Sequence, residues 1–266
     1  MIEVKNVSKV FGNEATALAL LREGLGKAEI MQRCGAVVAL HQISLRIEKA
    51  ETFAIMGLSG SGKSSLVRHI NRLIDPSAGE VFINGQNVLP LDAQGLRELR
   101  RRRISMVFQS FGLLPHRKVH ENVAYGLWVR GESKAIVRSK AQHWLEAVGL
   151  KGYEERRITE LSGGMRQRVG LARALACETD ILLMDEPFSA LDPLIRAEMQ
   201  ALLKDLQARL RKTIVLVTHD LNEALKLADR MAIVNDGQLL QIGTPQEILA
   251  RPATEHVSRF VQMRDP

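Results

Sequence analysis

The chemistry of this chain concentrates at residues 57–65, which read G-L-S-G-S-G-K-S-S. Gly57, Gly62, Lys63 and Ser64 fit the spacing G-x-x-x-x-G-K-[ST], with Ser59, Gly60, Ser61 and Ser65 filling the same turn and helix start. Residues 52–56 before it are a short apolar run, as a buried strand is. After it, Leu66, Val67, Ile70 and Leu73 recur at helical spacing. Glycines between a strand and a helix let the backbone wrap with its N–H groups inward, and the positive end of the helix completes an anion cradle. In that context Lys63 reaches the β- and γ-phosphates of a nucleotide, and the Ser64 hydroxyl ligates Mg2+. A glycine-rich turn without a ligand is the alternative, and the flanking elements argue against it.

Three further strand ends carry groups of the matching kind. Asp185 and Glu186 end the apolar run 181–184. Two carboxylates there make sense if Asp185 binds Mg2+ and Glu186 polarises a water; a solvated strand end is the alternative. His219 ends the run 213–218, where a lone histidine is more often structural. Gln109 follows the run 104–108, and its amide can ligate Mg2+ or orient a water. A second anion site comes from L-S-G-G-M at 161–165, where Ser162, Gly163 and Gly164 open a helix. One triphosphate tail and two helix N-termini are a surplus within one chain. A head-to-tail pair of chains resolves it by sandwiching ATP between one phosphate loop and the other chain's 162–164.

These groups need a frame of alternating strands and helices. Residues 2–7 alternate as a half-buried strand does. Helical patterns at 15–22 and 27–33 look like an insertion before a strand at 37–47, and are read as a surface hairpin that carries no chemistry. A strand at 80–83, a hairpin at Asn84-Gly85, a helix at 92–101 and the strand at 104–108 follow. From about 112 to 160 the pattern is wholly helical. Its apolar entry, F-G-L-L-P at 111–115, is either a docking surface or core packing. A helix then runs to about 177, and another starts at Asp192-Pro193. Asp220 with Glu223 caps a helix, residues 230–242 form a hairpin around Asp236-Gly237, and T-P-Q-E at 244–247 is a capping box.

Composition narrows the classes. The chain has 266 residues, enough for one large domain or two small ones. Its formal charge of +7 suits nucleic acid, an acidic membrane surface or a phosphorylated ligand, and equally an arginine-rich soluble surface. The densest basic run, 97–103, has no interleaved aromatics, so it is read as a solvated helix end and not a base-stacking platform. Cys34 and Cys177 form neither a metal motif nor a disulfide framework, which points to a reducing cytosol. The first residues lack a signal peptide's apolar core, and no run approaches the ~20 apolar residues of a membrane helix. A membrane role would therefore work through a partner.

Together these stretches resemble the nucleotide-binding subunit of an ABC transporter across nearly the whole chain. Residues 57–64 match Walker A, 161–165 the family signature and 181–185 Walker B, with Glu186 at the catalytic-base position. Gln109 matches the Q-loop, 189–192 the D-loop ending in Asp192, and His219 the switch histidine. Phe11 sits where the family stacks an aromatic on adenine, with core packing as the alternative.

The resemblance implies an α/β fold: a P-loop NTPase core of the ABC ATPase type with an antiparallel β subdomain and an inserted α-helical subdomain. It implies a single ABC ATPase domain, with core at 1–111 and 161–266, a helical insertion near 13–35 and the helical subdomain at 112–160. ATP and Mg2+ are the implied cofactors. The implied partners are a second copy of the chain, permease subunits docking on the helical subdomain and, indirectly, a periplasmic or extracellular solute-binding protein, with no nucleic acid. The implied place is the cytoplasmic face of the bacterial inner membrane.

Residues 15–35, 107–117 and 184–196 are most similar to the ATPases of quaternary-amine importers, those for glycine betaine, proline betaine or choline. Several members of that group carry a C-terminal tandem regulatory domain. This chain ends at Pro266, about where that domain would begin, so the expectation is a chain without it. Importers of histidine or trimethylamine N-oxide, an exporter, and a soluble ABC ATPase acting on nucleic acid are the alternatives. The last usually needs a coiled coil or two fused cassettes, and neither is visible here. A catalytically inactive binding module conflicts with Glu186 and His219.

Overall fold

A computed structural model describes residues 1–189 and 191–262. The chain opens with β1 (Ile2–Phe11), α1 (Glu14–Arg22), α2 (Lys27–Cys34), β2 (Val37–Ile47), β3 (Thr52–Met56) and α3 (Lys63–Ile70). It continues with β4 (Ala78–Ile83), β5 (Gln86–Asn87), α4 (Ala93–Arg102), β6 (Ile104–Val107), α5 (Val119–Val129) and α6 (Lys134–Ala147). Then come α7 (Gly163–Ala176), β7 (Ile181–Asp185), α8 (Pro193–Leu210), β8 (Thr213–Thr218) and α9 (Leu221–Leu227). The described chain closes with β9 (Arg230–Asn235), β10 (Gln238–Gly243), α10 (Pro245–Ala250) and α11 (Glu255–Gln262).

Contacts divide the chain into two compact units. Among the described residues the first holds 1–49, 53–96 and 219–262; the second holds 50–52, 97–189 and 191–218.

In the first unit β2, β1, β4 and β5 form an antiparallel sheet in that order, and β3, β9 and β10 are neighbours with β3 and β9 parallel. Strand β1 runs four residues past the expected end. Asn6 takes a left-handed φ of 51°, and the register slips between Val4 and Val7. That bulge changes which parity of residue faces inward, so the alternation breaks while the strand continues. The insertion forms both expected helices. Asn13 caps α1 by accepting from the Thr16 N–H, and Ala17 and Ile30 bury against Val10, Ala36 and Val38. It thus has a small core of its own. Helix α3 stops at Ile70 and not Leu73, because Arg72 is left-handed at φ 51° and its guanidinium holds Asp75 (2.6 Å) and the Leu91 carbonyl (2.6 Å). Helix α11, which no sequence pattern above marks, adds Val257, Phe260 and Val261 to a core of Ala54, Met56, Met231 and Ile233.

In the second unit β6, β7 and β8 are parallel, with Val107 opposite Met184 and Met184 opposite Leu216. All five residues of β7 and all six of β8 are buried, as the unbroken apolar runs require of a covered parallel sheet. Helices α5, α6 and α7 pack on one another. A Cβ on Gly126 would lie 2.3 Å from Cys177 Sγ, so only glycine allows α5 to pass the end of α7 this closely. The stretch read as wholly helical, 112–160, also contains an antiparallel bridge between Lys118 and Arg157. It is too short for an alternating pattern to reveal.

His69 on α3 is fully buried, with Nδ1 against the Ser65 carbonyl. Burial is the main cause lowering its pKa; Lys9 acts in the same direction, while the Ser65 carbonyl and Asp75 oppose. The native histidine thus stays neutral where the unfolded one, near 6.5, takes up a proton. The unfolded state then binds more protons, so stability falls as pH drops below about 6.5 toward the native value, by at most ~1.4 kcal/mol per pH unit. Thermal unfolding between pH 7.5 and 5.5 should show this loss, and His69→Asn should shrink it. An equal loss in both proteins would contradict the assignment.

Candidate functional site

The phosphate loop lies within the first unit. Gly57 and Gly62 have φ of 152° and 101°, and a Cβ on them would sit 2.0 Å from the Val234 carbonyl and 2.7 Å from the Ala39 carbonyl. Both positions therefore demand glycine. Gly62 caps α3, and Lys63 is its first helical residue. The lysine is buried, with Nζ donating to the Leu58 carbonyl at 2.8 Å, so the ammonium is folded back over the loop. Ser61 Oγ is buried without a hydrogen-bond partner among the described residues. An orphaned hydroxyl beside a buried cation at a helix N-terminus fits a phosphate chain. Ser59 and Gly60 are exposed, and Ser64 and Ser65 half-buried.

Phe11 ends β1 with 45% of its surface exposed, so core packing is not its role. Its cross-strand partner is Val37, 46% exposed, and Lys9 Nζ lies 5.3 Å from its ring centroid. Opposed side chains of an antiparallel pair lie together, so Phe11 and Val37 form one apolar platform. Nothing in the local sequence marks Val37; its exposure emerges only with the register. His219 follows β8 and is exposed, while Asp220 beside it caps α9 by accepting from the Asn222 N–H at 2.8 Å.

The second unit gathers the other groups. Asp185 ends β7 and is fully buried. Glu186 is left-handed at φ 45°, and its N–H donates to the Val217 carbonyl at 3.0 Å. Gln109 Nε2 donates to Glu186 Oε2 at 3.2 Å. The pairing of Val107 with Met184 explains this, since two residues further along each strand come Gln109 and Glu186. A carboxylate on a sparsely populated backbone conformation, oriented by an amide, is placed so that it can act as a base. Ser162 caps α7, Oγ accepting from the Met165 N–H at 3.3 Å, and Gly163 begins the helix. A Cβ on Gly164 would lie 2.9 Å from Ile195 Cγ2, so that glycine also serves packing against α8. Asp192 caps α8, Oδ1 accepting from the Ile195 N–H at 3.1 Å. Ala190, in the same stretch, lies outside the described residues.

A model of the ABC transporter family matches residues 40–189. The chain belongs to this family. It is 51% identical over 98% of its length to the glycine betaine transport ATP-binding protein OpuAA of Bacillus subtilis, spanning 63% of that protein. To ProV of Escherichia coli, named for glycine betaine/proline betaine transport, it is 50% identical over 97% of its length, spanning 65%. The chain thus spans less than two thirds of these relatives. It is 48% identical over its whole length to the trimethylamine N-oxide transport protein TmoW of Ruegeria pomeroyi, spanning 78%. Among solved structures it resembles the ATP-binding cassette MJ0796, a dimer in a post-hydrolysis state bound to ADP and Pi, with TM-score 0.79, 33% identity and 92% and 99% of the two chains covered. The fold is accordingly the α/β fold of ABC ATPase cassettes. Among the described residues no helix is long and apolar enough to cross a membrane.

Two further residues of this ABC cassette carry no signal in the local sequence. Arg173 on α7 donates to the Phe111 carbonyl (2.9 Å) and the Gly112 carbonyl (2.7 Å), just after Gln109. Burial pushes its pKa down. Phe111 itself is left-handed at φ 64°. Asn122, fully buried on α5, accepts from the Leu114 N–H at 2.8 Å and donates to the Leu114 and Lys118 carbonyls. The segment after Gln109 is therefore pinned to two helices. Phe111, Leu113 and Leu114 are only half-buried, so this segment is not core. Arg173→Met leaves two carbonyls without their donor and should cost about 1–3 kcal/mol in urea unfolding. A change under about 0.5 kcal/mol would show that the contacts do not hold the segment.

Proposed function

We propose that two copies of this chain bind and hydrolyse ATP to drive uptake of a quaternary amine through permease subunits. The observation that carries it is the Gln109–Glu186 pair beside buried Asp185. Phe11 and Val37 receive the base. The loop at 57–65 and Lys63 hold the triphosphate. Glu186 accepts a proton from the water that attacks the γ-phosphorus, the bond to the bridging oxygen breaks, and ADP leaves. His219 steadies the γ-phosphate. Ser64, Gln109 and Asp185 offer the oxygen donors Mg2+ prefers, and when bound it would neutralise phosphate charge. Ser162, Gly163 and Gly164 of the second copy close over the same nucleotide, with Asp192 at the junction. The dimer of MJ0796 supports that pairing.

The helical subdomain at 112–160 is the coupling element, with permease subunits meeting the half-buried segment at 111–115 on the cytoplasmic face of the bacterial inner membrane. A solute-binding protein takes part indirectly, and nucleic acid takes none. The solute class is supported by relatives of about half identity that are named for glycine betaine. Trimethylamine N-oxide is a second reading, favoured by relatives of which the chain spans a larger share. The test is uptake into proteoliposomes carrying the chain, its permease and its binding protein, with ATP inside. Labelled glycine betaine should accumulate and excess trimethylamine N-oxide should compete poorly. Strong competition would favour the second reading, and no ATP-dependent accumulation of either would overturn both.

A further inference from the structure

We propose that the α1–α2 hairpin sets the phosphate loop, with Lys27 as the positioning residue. Lys27 is the first residue of α2. A cation there opposes the helix dipole, so its place needs another reason. Its Nζ donates to the main-chain carbonyl of Asp236 and to Asp236 Oδ1 at 3.0 Å. Asp236 and Gly237 form the tight turn between β9 and β10, both left-handed, at φ 43° and 63°.

That turn reaches the loop directly. The Gly237 N–H donates to the Ser61 carbonyl at 2.9 Å, and the Gly237 carbonyl accepts from the His41 N–H at 2.8 Å. A Cβ on Gly237 would sit 2.3 Å from the Ala39 carbonyl and 2.8 Å from Lys27 Nζ. The turn is therefore wedged between β2, α2 and the loop, all within one unit. Because a peptide is planar and trans, fixing the Ser61 carbonyl toward Gly237 turns the Gly62 N–H the opposite way. Loop N–H groups are what grip a phosphate, so the turn fixes a donor. The hairpin's own core, Ala17 and Ile30 with Val10, Ala36 and Val38, gives Lys27 a firm base. The insertion between β1 and β2 is thus the support for the nucleotide grip and not a surface ornament.

The main-chain contact should matter more than the ion pair, since the Asp236 side chain is 77% exposed and Lys27 22%. The experiment uses the full chain. Lys27→Met keeps the aliphatic stem and removes the ammonium. Without nucleotide, its Gly237 amide should exchange with deuterium faster by about three- to tenfold, a discounted share of a charge-assisted hydrogen bond. The Kd for ATP should rise by a similar factor, with turnover at saturating ATP changing less. Lys27→Arg should restore both, and Asp236→Asn should stay within about twofold because the carbonyl acceptor remains. Unchanged Gly237 exchange in Lys27→Met overturns the proposal. So does a rise in Kd that Lys27→Arg fails to rescue while both variants match the parent in thermal unfolding. If Lys27→Met does not fold, Lys27→Gln with the same exchange measurement decides. The consequence for affinity rests on the proposed ATP site, but the exchange arm needs neither nucleotide nor transport, so failure of the uptake reading would leave it standing.

Discussion

Glu186→Gln lowers ATP turnover by about 10²–10⁴-fold, the usual contribution of a positioned general base. The substitution changes little else. The amide oxygen still accepts from Gln109, and the Glu186 N–H to the Val217 carbonyl is a main-chain bond that persists. The neighbouring Asp185 stays buried at the end of β7. What is lost is the negative charge and with it the capacity to take a proton, so ATP affinity should not weaken by more than about twofold. Steady-state hydrolysis and equilibrium binding of ATP separate the two. Near-normal turnover would mean that another group prepares the water.

Ser162→Asp should reduce hydrolysis by at least about 10²-fold while leaving ATP binding to the single chain intact. Aspartate is as good an N-cap as serine, so the bond from the Met165 N–H and the start of α7 survive. What changes is charge at a helix N-terminus proposed to face the partner's γ-phosphate. Removing one donor from such a site costs about 10²–10³-fold, and adding an anion costs more. Gly164 is the poorer place for this test, because any side chain there strikes Ile195 in its own chain. Ser162→Asn, a neutral cap, should keep far more turnover. Equal activity of the two variants would remove the helix end from the site.

The phosphate loop was legible because all its chemistry is local: glycines, lysine and serine at fixed spacing between a strand and a helix. Gln109 and Glu186 were legible singly, as groups after apolar strands, but their contact was not. It depends on the register of β6 against β7, which an unbroken apolar run does not encode. The bulge at Asn6 hid the second half of β1, and with it the exposed pairing of Phe11 with Val37. Arg173 and Lys27 were invisible for a different reason. Long cationic side chains look alike in sequence, and their carbonyl acceptors at Phe111, Gly112 and Asp236 come into reach only through tertiary contacts. The family resemblance supplied roles for residues of both units where periodicity alone supplied elements.

In the proposed cycle ATP is held between two copies of this chain. This pairing is tested most directly by the mass of the Glu186→Gln protein in light scattering, with and without saturating ATP and Mg2+, alone and with its permease subunits present. A single chain is expected without nucleotide and a pair with ATP, with no ATP-driven pairing when Ser162→Asp is added. A protein that stays single at saturating ATP, permease included, would contradict it.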